Sequence, residues 1–398
     1  MIRTPSCVRV AGPLAPFAAG FAEELAGLGY TPLSAANQVR VLAHVSRWLQ
    51  AQGLEAGEFT AERAGLFLRA RRAEGYTCWL SERGLAPLLG YLREAGVVPV
   101  AALPVPCSAA DVLLDRYRAY LVAERGLAAS TVGYYLAEAR LFVAVAGPDP
   151  GRLTAAAVTD YVREQCSQRS TGMAKILVTA LRALLRFLHV EGVIGEPLAA
   201  VVPAVAGWRG GALPRALGPD QVTGLLESCD QSGLTGRRDL AVLTLLARLG
   251  LRAAEVAALQ LGDIDWRAGE LLIRGKGRRE ERLPLPADVG AAIAGYLQAG
   301  RADGQCRSVL LSARAPCSGL SADAVKAIVR SACRRAGLAP AGAHRLRHTA
   351  ATQMLRAGAP LAEVGQVLRH RAASTTAIYA KVDHDALRAL ALPWPVPR

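Results

Sequence analysis

The sequence predicts a mainly helical, multidomain protein in which two helical domains precede an α+β domain with a small β-hairpin. The chain has 398 residues, more than one packed core usually accommodates. Apolar residues recur at the helical spacing i, i+3, i+4 and i+7, as in Val178, Leu181, Leu185 and Leu188. Two short apolar runs flank a Gly-Lys-Gly turn at 275–277, which is typical of a hairpin.

Two Pro-rich stretches divide the chain. The first runs from 98 to 106 and the second from 203 to 214. Because proline fixes φ and lacks an N–H group, neither stretch continues a helix. We therefore expect a helical domain at 1–105, a second helical domain at 106–202, a linker at 203–214 and a third domain at 215–398.

The first two domains resemble each other at an offset of 96 residues. Leu85 matches Leu181, and Gly96 matches Gly192. Each copy shows helical periodicity, so each is predicted to be a small helical bundle. A duplication explains the offset, and chance matching in a Leu- and Ala-rich helical chain is the alternative.

The third domain combines helices with the hairpin. The predicted hairpin spans 270–285 and carries Lys276 at its tip, directed away from the core. The predicted helices lie at 219–229, 237–249, 287–299, 321–336, 344–356 and 360–368.

The composition indicates a globular, basic protein. Hydrophobic residues make up 52% of the chain and charged residues 20%, which excludes a disordered or collagen-like chain. The net charge is +14, and residues 201–398 hold 27 basic and 16 acidic side chains. Such an excess attracts polyanions, so nucleic acid is the first expected partner and an anionic membrane the second. No membrane-spanning segment is expected, because charged residues interrupt the most apolar stretch, 240–259.

The cysteines and the N-terminus favour a bacterial-type cytoplasm. Eight cysteines occur without any C-x-x-C pair, which fits reduced thiols rather than a disulfide framework or a zinc site. A signal peptide is not expected, because Pro13 and Pro16 interrupt the first apolar stretch.

An arginine and a glutamate share one face of a predicted helix after Gly250. Arg252 and Glu255 are three residues apart, so the carboxylate can hold the guanidinium in position. Taken alone, such a pair is typical of an ordinary surface ion pair.

A second cluster reads His344-Arg-Leu-Arg-His-Thr349. His344 and Arg347 share one helix face. His344 and His348 have the i, i+4 spacing of zinc-binding helices. We disfavour zinc, because no glutamate follows the first histidine and an arginine on the same face repels a divalent cation.

The third cluster contains His370 and, nine residues later, Tyr379. A single tyrosine near the end of a helical domain is most often a core or rim residue. The order of all three clusters is far more specific than any one of them. The ordered residues are Arg252, Lys276, His344, Arg347, His370 and Tyr379.

These motifs, in this order and around a hairpin, resemble the tyrosine recombinase (phage integrase-like) family across about 214–385. One departure is visible. The family usually has Leu-Gly-His where this chain has Leu368, Arg369 and His370. Arg369 therefore carries a Cβ at a position where glycine is common.

The resemblance implies cleavage of DNA through a tyrosine nucleophile, Tyr379. Two guanidiniums, Arg252 and Arg347, suit the non-bridging phosphate oxygens because each offers paired donors. Lys276 is the general acid for the departing 5′ oxygen, since a lysine can release a proton and an arginine cannot. His344 is the candidate proton acceptor.

His370 would donate a hydrogen bond to a non-bridging oxygen, and Glu255 would orient Arg252 from behind. No metal and no cofactor is expected, because the phosphotyrosyl link conserves the energy of each broken bond.

By resemblance, the domain at 106–202 looks like the family's core-binding (SAM-like) domain, which closes on the opposite face of the duplex from the catalytic domain. Ser130 and Thr131 at a helix start, and Lys175 and Arg182 seven residues apart on one face, are candidate phosphate contacts. Solvated surface charges are the alternative.

The resemblance further implies double-stranded DNA with specific recombination sites as substrate, a homotetramer on DNA, and no membrane partner. We expect a nucleoid-associated location and, away from DNA, a monomer or weak oligomer. The motifs leave open an accessory DNA-bending protein or a partner recombinase, and whether the tail after Tyr379 docks on a neighbouring subunit or packs on its own domain. Integration, transposition and resolution of replicon dimers are equally compatible with the motifs.

Two other functions compete with recombination. A type IB topoisomerase-like nicking-closing enzyme uses similar residues but needs no pair of specific sites. A non-catalytic DNA-binding factor would need no nucleophile, so the intact Tyr379, Lys276 and paired arginines disfavour it.

Overall fold

The structure is a computed structural model and describes residues 5–99, 108–147, 150–206, 216–275, 279–301, 306–370 and 372–382. It is mostly helical with one small antiparallel sheet, so the predicted fold class is confirmed. The chain forms two compact units. One comprises Ala101–Gly211, and the other comprises Met1–Val100 together with Ala212–Arg398.

The unit Ala101–Gly211 is a bundle of four helices. Ser108, Thr154 and Ser170 begin three of them, because each side chain accepts a hydrogen bond from the backbone N–H three residues on. The longest helix is apolar on most of its surface and lies at the centre of the core. The helices are α5 (Ala109–Ala123), α6 (Ala129–Ala146), α7 (Ala155–Ser167) and α8 (Thr171–Val190).

The first hundred residues also contain four helices around a core of their own. Thr31 and Thr60 cap two of them, because each side chain accepts a hydrogen bond from the backbone N–H three residues on. The helices are α1 (Ala18–Gly27), α2 (Pro32–Ala51), α3 (Ala61–Ala73) and α4 (Glu82–Glu94).

The two four-helix segments correspond at the offset seen in the sequence. Leu85 of α4 and Leu181 of α8 are both buried. Gly96 and Gly192, which follow these helices, adopt φ values of 69° and 70°, a left-handed conformation that favours glycine. The duplication stays a prediction that these matches support.

The C-terminal part surrounds a separate core that includes most of the buried residues of one long helix, α10 (Leu234–Leu249). The six predicted helices are present, and each end lies within three residues of the prediction. The helices are α9 (Pro219–Glu227), α10 (Leu234–Leu249), α11 (Ala253–Ala258), α12 (Ala287–Gln298), α13 (Ala322–Arg335), α14 (Ala343–Arg356), α15 (Leu361–Val367) and α16 (Ala373–Thr376). A 3-10 segment, Ala377–Val382, follows α16.

The predicted hairpin is confirmed as strands β2 (Glu270–Arg274) and β3 (Glu280–Pro284), which pair antiparallel. Leu271 and Ile273 point to the core while their neighbours are less buried, which is the alternation of a half-buried strand. A third strand, β1 (Ile264–Asp265), pairs with β2 and was not predicted, because two residues are too short to show alternation.

Among the described residues, no helix is both long enough and apolar enough to cross a membrane.

Candidate active site

Arg252 begins helix α11, two residues after a left-handed turn at Gly250. The Glu255 carboxylate accepts a hydrogen bond from the Arg252 backbone N–H at 2.8 Å and another from its guanidinium at 2.6 Å. The Glu255 side chain is 3% exposed, and that of Arg252 is 42% exposed. The pair suggested by the i, i+3 spacing therefore forms, with the carboxylate buried and the guanidinium reaching solvent.

Arg347 of α14 joins three segments of the chain. Its guanidinium is buried and donates to the Gly250 carbonyl at 2.6 Å and to the Leu368 carbonyl. Burial, together with the charges of Arg252 and Arg369, lowers the pKa of Arg347 to about 10, so it remains cationic at neutral pH. Arg347 therefore brings the segment before Arg252 and the segment before His370 to one place.

Arg369, the residue that departs from the family pattern, is also part of this cluster. Its guanidinium donates to Glu255 Oε2, which also accepts the Arg252 backbone N–H, at 2.9 Å and to the Val367 carbonyl at 2.8 Å. Glu255 thus lies between two arginines. Burial alone would raise the pKa of Glu255, but the hydrogen bonds from Arg252 and the charges of Arg369 and Arg252 bring it below its ordinary value.

Tyr379 lies in the 3-10 segment after α16 and is 1% exposed. Its phenol ring packs among Ala351, Leu355, Val364 and Leu368. Burial raises the pKa of Tyr379, and the charge of Arg347 only partly opposes this. The nucleophile predicted from the sequence is therefore close to the arginine cluster but shielded from solvent.

The phenol oxygen of Tyr379 hydrogen-bonds to Nδ1 of His348 at 2.9 Å. His344 is the proton acceptor expected from the sequence, but the structure describes no hydrogen bond between His344 and Tyr379. The two imidazoles are one helical turn apart, with ring centres separated by 4.3 Å. The sequence suggests His348 only as a disfavoured zinc ligand, although its position one turn from His344 places it on the same helix face.

His370 follows Arg369 and lies beside Tyr379, with nearly parallel rings whose centres are 6.2 Å apart. Its Nδ1 hydrogen-bonds to the Thr376 hydroxyl at 2.8 Å. Burial and the charges of nearby arginines lower the pKa of His370 to about 4. Burial and the neighbours His344 and Arg347 lower the pKa of His348 to about 4.

Burial, Arg347 and Arg252 lower the pKa of His344 as well. All three imidazoles are therefore uncharged at neutral pH and able to accept a proton.

A cavity of about 750 Å³ opens between the hairpin and helix α15. Arg252, Arg369 and His370 line its helical side, and Gly275 and Arg279 line its hairpin side. Lys276, the predicted general acid, lies outside the described residues, as does the tail after Val382. The two described residues that flank the hairpin tip face the cavity.

The four candidate DNA contacts lie on two helices of the bundle Ala101–Gly211. Ser130 and Thr131 are in the first turn of α6, and Lys175 is exposed in the first half of α8. Arg182 is half-buried and donates to the Val202 carbonyl at 2.8 Å. Lys175 thus has the more accessible charge of the two basic residues.

The partly exposed guanidinium of Arg252 and the uncharged imidazole of His370 at the cavity are suited to binding a phosphodiester. Residues 215–385 match the family model described as phage integrase family. The chain is 42% identical over 394 residues to the integrase/recombinase y4rA of Sinorhizobium fredii, covering 96% of this chain and 95% of that protein.

The chain is also 32% identical over 310 residues to the tyrosine recombinase XerD of Mycobacterium tuberculosis, and the alignment covers 69% of this chain and 94% of that protein. The chain belongs to the phage integrase family, the tyrosine recombinases.

Solved structures show the same fold. The XerH site-specific recombinase, bound to a palindromic difH substrate in a post-cleavage complex, aligns with a TM-score of 0.58. Its sequence is 18% identical, and the alignment covers 73% of this chain and 98% of that chain. The arrangement of helices and hairpin is thus that of recombinases.

Replacing Glu255 by glutamine tests its buried ionised state. Because the pKa of Glu255 in the folded protein is below its ordinary value of about 4.5, the carboxylate stabilises the fold above that pH. This contribution is lost as the pH falls through the folded-state pKa. We expect the difference in the free energy of unfolding between wild type and Glu255→Gln to be largest at neutral pH and to shrink in acid, as measured by urea unfolding.

Glu363→Gln, which removes an exposed carboxylate from α15, is the control for the loss of one negative charge. A difference between wild type and Glu255→Gln that stays constant across this pH range would contradict the assignment.

Proposed function

We propose that this protein cuts and rejoins DNA strands at specific sites through a covalent 3′-phosphotyrosine formed by Tyr379. One observation carries the proposal. Arg347 is bonded to the carbonyls of Gly250 and Leu368, and so links the segments that hold Arg252 and His370. Side chains from distant parts of the sequence thereby converge beside one cavity.

Arg252 would bind the phosphate that reacts, and Arg347 would add to the attraction from within the protein. The pentacoordinate transition state of this phosphate concentrates negative charge on the non-bridging oxygens, and guanidiniums match these oxygens with paired donors. Arg252 reaches the cavity with a partly exposed side chain, and Arg347 adds a fixed positive charge behind it. His370, at the cavity wall, would donate a hydrogen bond to one of these oxygens.

In the cleavage step, the Tyr379 oxygen bonds to phosphorus as the bond from phosphorus to the 5′ oxygen breaks. The phenol proton passes to an imidazole, and the 5′ oxygen takes a proton from Lys276 to become a free hydroxyl. The reverse attack by a 5′ hydroxyl of another strand restores the phosphodiester and releases the tyrosine. Exchange of one strand pair in this way leaves a Holliday junction.

The acceptor of the phenol proton is one of two neighbouring histidines. His344 is the acceptor inferred from the family pattern, and His348 makes the contact with Tyr379 in this structure. Both imidazoles have a lowered pKa and are uncharged at neutral pH. Attack also requires the phenol to leave its buried position and reach the cavity.

The same proposal assigns a role to each of the other parts of the chain. The bundle at 106–202 would contact phosphates through Ser130, Thr131, Lys175 and Arg182, and 215–398 would hold the catalytic residues. The segment 1–105 would be a copy of that bundle, as its matching helices and glycine turn support. The enzyme would act as a homotetramer on paired sites in a bacterial cytoplasm, in the service of a mobile element or of replicon resolution.

Tyr379→Phe tests the nucleophile. The recombination site is first recovered by sequencing genomic DNA fragments that remain covalently attached to wild type. On a nicked suicide duplex carrying that site, we expect wild type to form a protein–DNA adduct that survives a denaturing gel. The variant lacks the phenol oxygen and should bind the duplex without forming the adduct.

If neither wild type nor the variant forms an adduct, the catalytic proposal fails, and the result would instead support a non-catalytic DNA-binding factor. Adducts at random positions and relaxation of any supercoiled plasmid would instead identify a topoisomerase.

A duplex with a 5′-phosphorothiolate at the cleavage site distinguishes loss of the general acid from loss of the proton acceptor, because a thiolate leaving group needs no proton. Lys276→Ala should slow cleavage of the normal duplex by roughly 100-fold. The cleavage rate of this variant should recover on the phosphorothiolate duplex. His344→Gln and His348→Gln should not recover, since they affect the nucleophile, and the larger loss identifies the acceptor. Equal slowing of Lys276→Ala on both duplexes would exclude its role as general acid.

Lys175→Ala tests the bundle as a DNA contact. Loss of one phosphate contact should weaken binding to all sequences and reduce the slope of log affinity against log salt by about 1. Fluorescence anisotropy over a salt series measures the slope. Lys326→Ala is the matched control, because Lys326 is already paired with Asp323 at 2.9 Å. An unchanged slope for Lys175→Ala would contradict the contact.

A further inference from the structure

Helix α15 ends in a turn that normally requires glycine. The Arg369 backbone N–H donates to the Gln366 carbonyl at 2.8 Å, and the His370 N–H donates to the Gly365 carbonyl at 3.0 Å. This pair of bonds is the Schellman motif, whose central residue is left-handed and is usually glycine. Arg369 occupies that central position with φ 56°.

A left-handed conformation costs free energy for any residue with a Cβ atom. Only Arg369 and Trp79 adopt a positive φ among the non-glycine residues that the structure describes. The turn itself needs no side chain, since its hydrogen bonds come from the backbone. The contacts of the Arg369 side chain must therefore account for the presence of arginine, rather than glycine, at this position.

The Arg369 side chain extends from the turn into the cluster around Arg252 and is 4% exposed. Its guanidinium donates to Glu255 Oε2, the same oxygen that accepts the Arg252 backbone N–H. The other oxygen, Oε1, accepts the Arg252 guanidinium. Glu255 is thus held from two sides, which restricts the directions in which it can hold Arg252.

The second arginine also changes the charge of the cluster. Without Arg369, the ion pair of Arg252 and Glu255 would be neutral overall. Its carboxylate would then offset the attraction of the Arg252 guanidinium for a phosphate. With Arg369 the three side chains carry a net single positive charge. This charge adjoins a cavity lined by Arg252, Arg369 and His370.

We propose that Arg369 is a positioning residue for strand cleavage, which acts through Glu255 to orient Arg252 and to offset the carboxylate charge next to it. This inference rests on the proposed function, because it assigns Arg252 to the reacting phosphate. Arg369 itself is buried against Glu255 and is not placed on the DNA.

The test compares four proteins on the suicide duplex defined above: wild type, Arg369→Gly, Glu255→Gln and the double variant. Cleavage rates are measured with protein in excess, and duplex affinity is measured separately. Glycine suits the left-handed turn, which offsets part of the stability lost with the buried Arg369–Glu255 ion pair, so Arg369→Gly should fold, as its thermal midpoint will verify. We expect its cleavage rate to fall about tenfold or more, with little change in affinity.

Two comparisons separate positioning from a merely structural role. Arg369→Lys keeps the charge and one donor, so it should recover part of the lost rate. In the Glu255→Gln background, Arg369→Gly should cause little further loss, because its effect passes through Glu255. Arg356→Ala, which removes an exposed arginine at the end of α14, is the control for the loss of one positive charge and should cleave at the wild-type rate.

Wild-type cleavage by Arg369→Gly would overturn the inference while leaving the proposed function intact. Full additivity with Glu255→Gln would also overturn it, because Arg369 would then act by another route. Failure of wild type itself to form the Tyr379 adduct would overturn both proposals.

Discussion

The site depends on the buried guanidinium of Arg347. It satisfies two backbone carbonyls, at Gly250 and Leu368, that lie far apart in the sequence. The approach is close enough that a Cβ on Gly250 would lie 2.6 Å from the Leu368 side chain, so glycine is required there for space as well as for its positive φ. Without the guanidinium, both carbonyls would be buried without a partner, which costs about 1–3 kcal/mol for each group.

The electrostatics of the cluster follow from this packing. Three guanidiniums share a small volume, and the one carboxylate among them, Glu255, is held by Arg252 and Arg369. Burial, together with the concentration of positive charge, lowers the pKa of the adjacent imidazoles and so suppresses their protonation. The positive charge therefore resides on groups that do not exchange protons at neutral pH, while the histidines stay free to do so.

The sequence was sufficient where the signal is local. Helical periodicity located the helices, the Gly-Lys-Gly turn located the hairpin, and the i, i+3 spacing placed Glu255 beside Arg252. The partner of Tyr379 was not predictable in this way, because it depends on how the 3-10 segment after α16 packs against α14. The same holds for the contact of Arg369 with Glu255, which joins residues 114 positions apart.

The enclosure of Tyr379 bears on how such an enzyme coexists with a chromosome. A DNA-binding protein meets unrelated sequence far more often than its own target, and every stretch of it offers phosphodiesters. The phenol is enclosed by α14 and α15 and held by His348, so under the proposed function these encounters would present no attacking group. Strand breakage would then require binding energy to bring the phenol out of this enclosure, and most contacts with unrelated DNA would leave the genome unbroken.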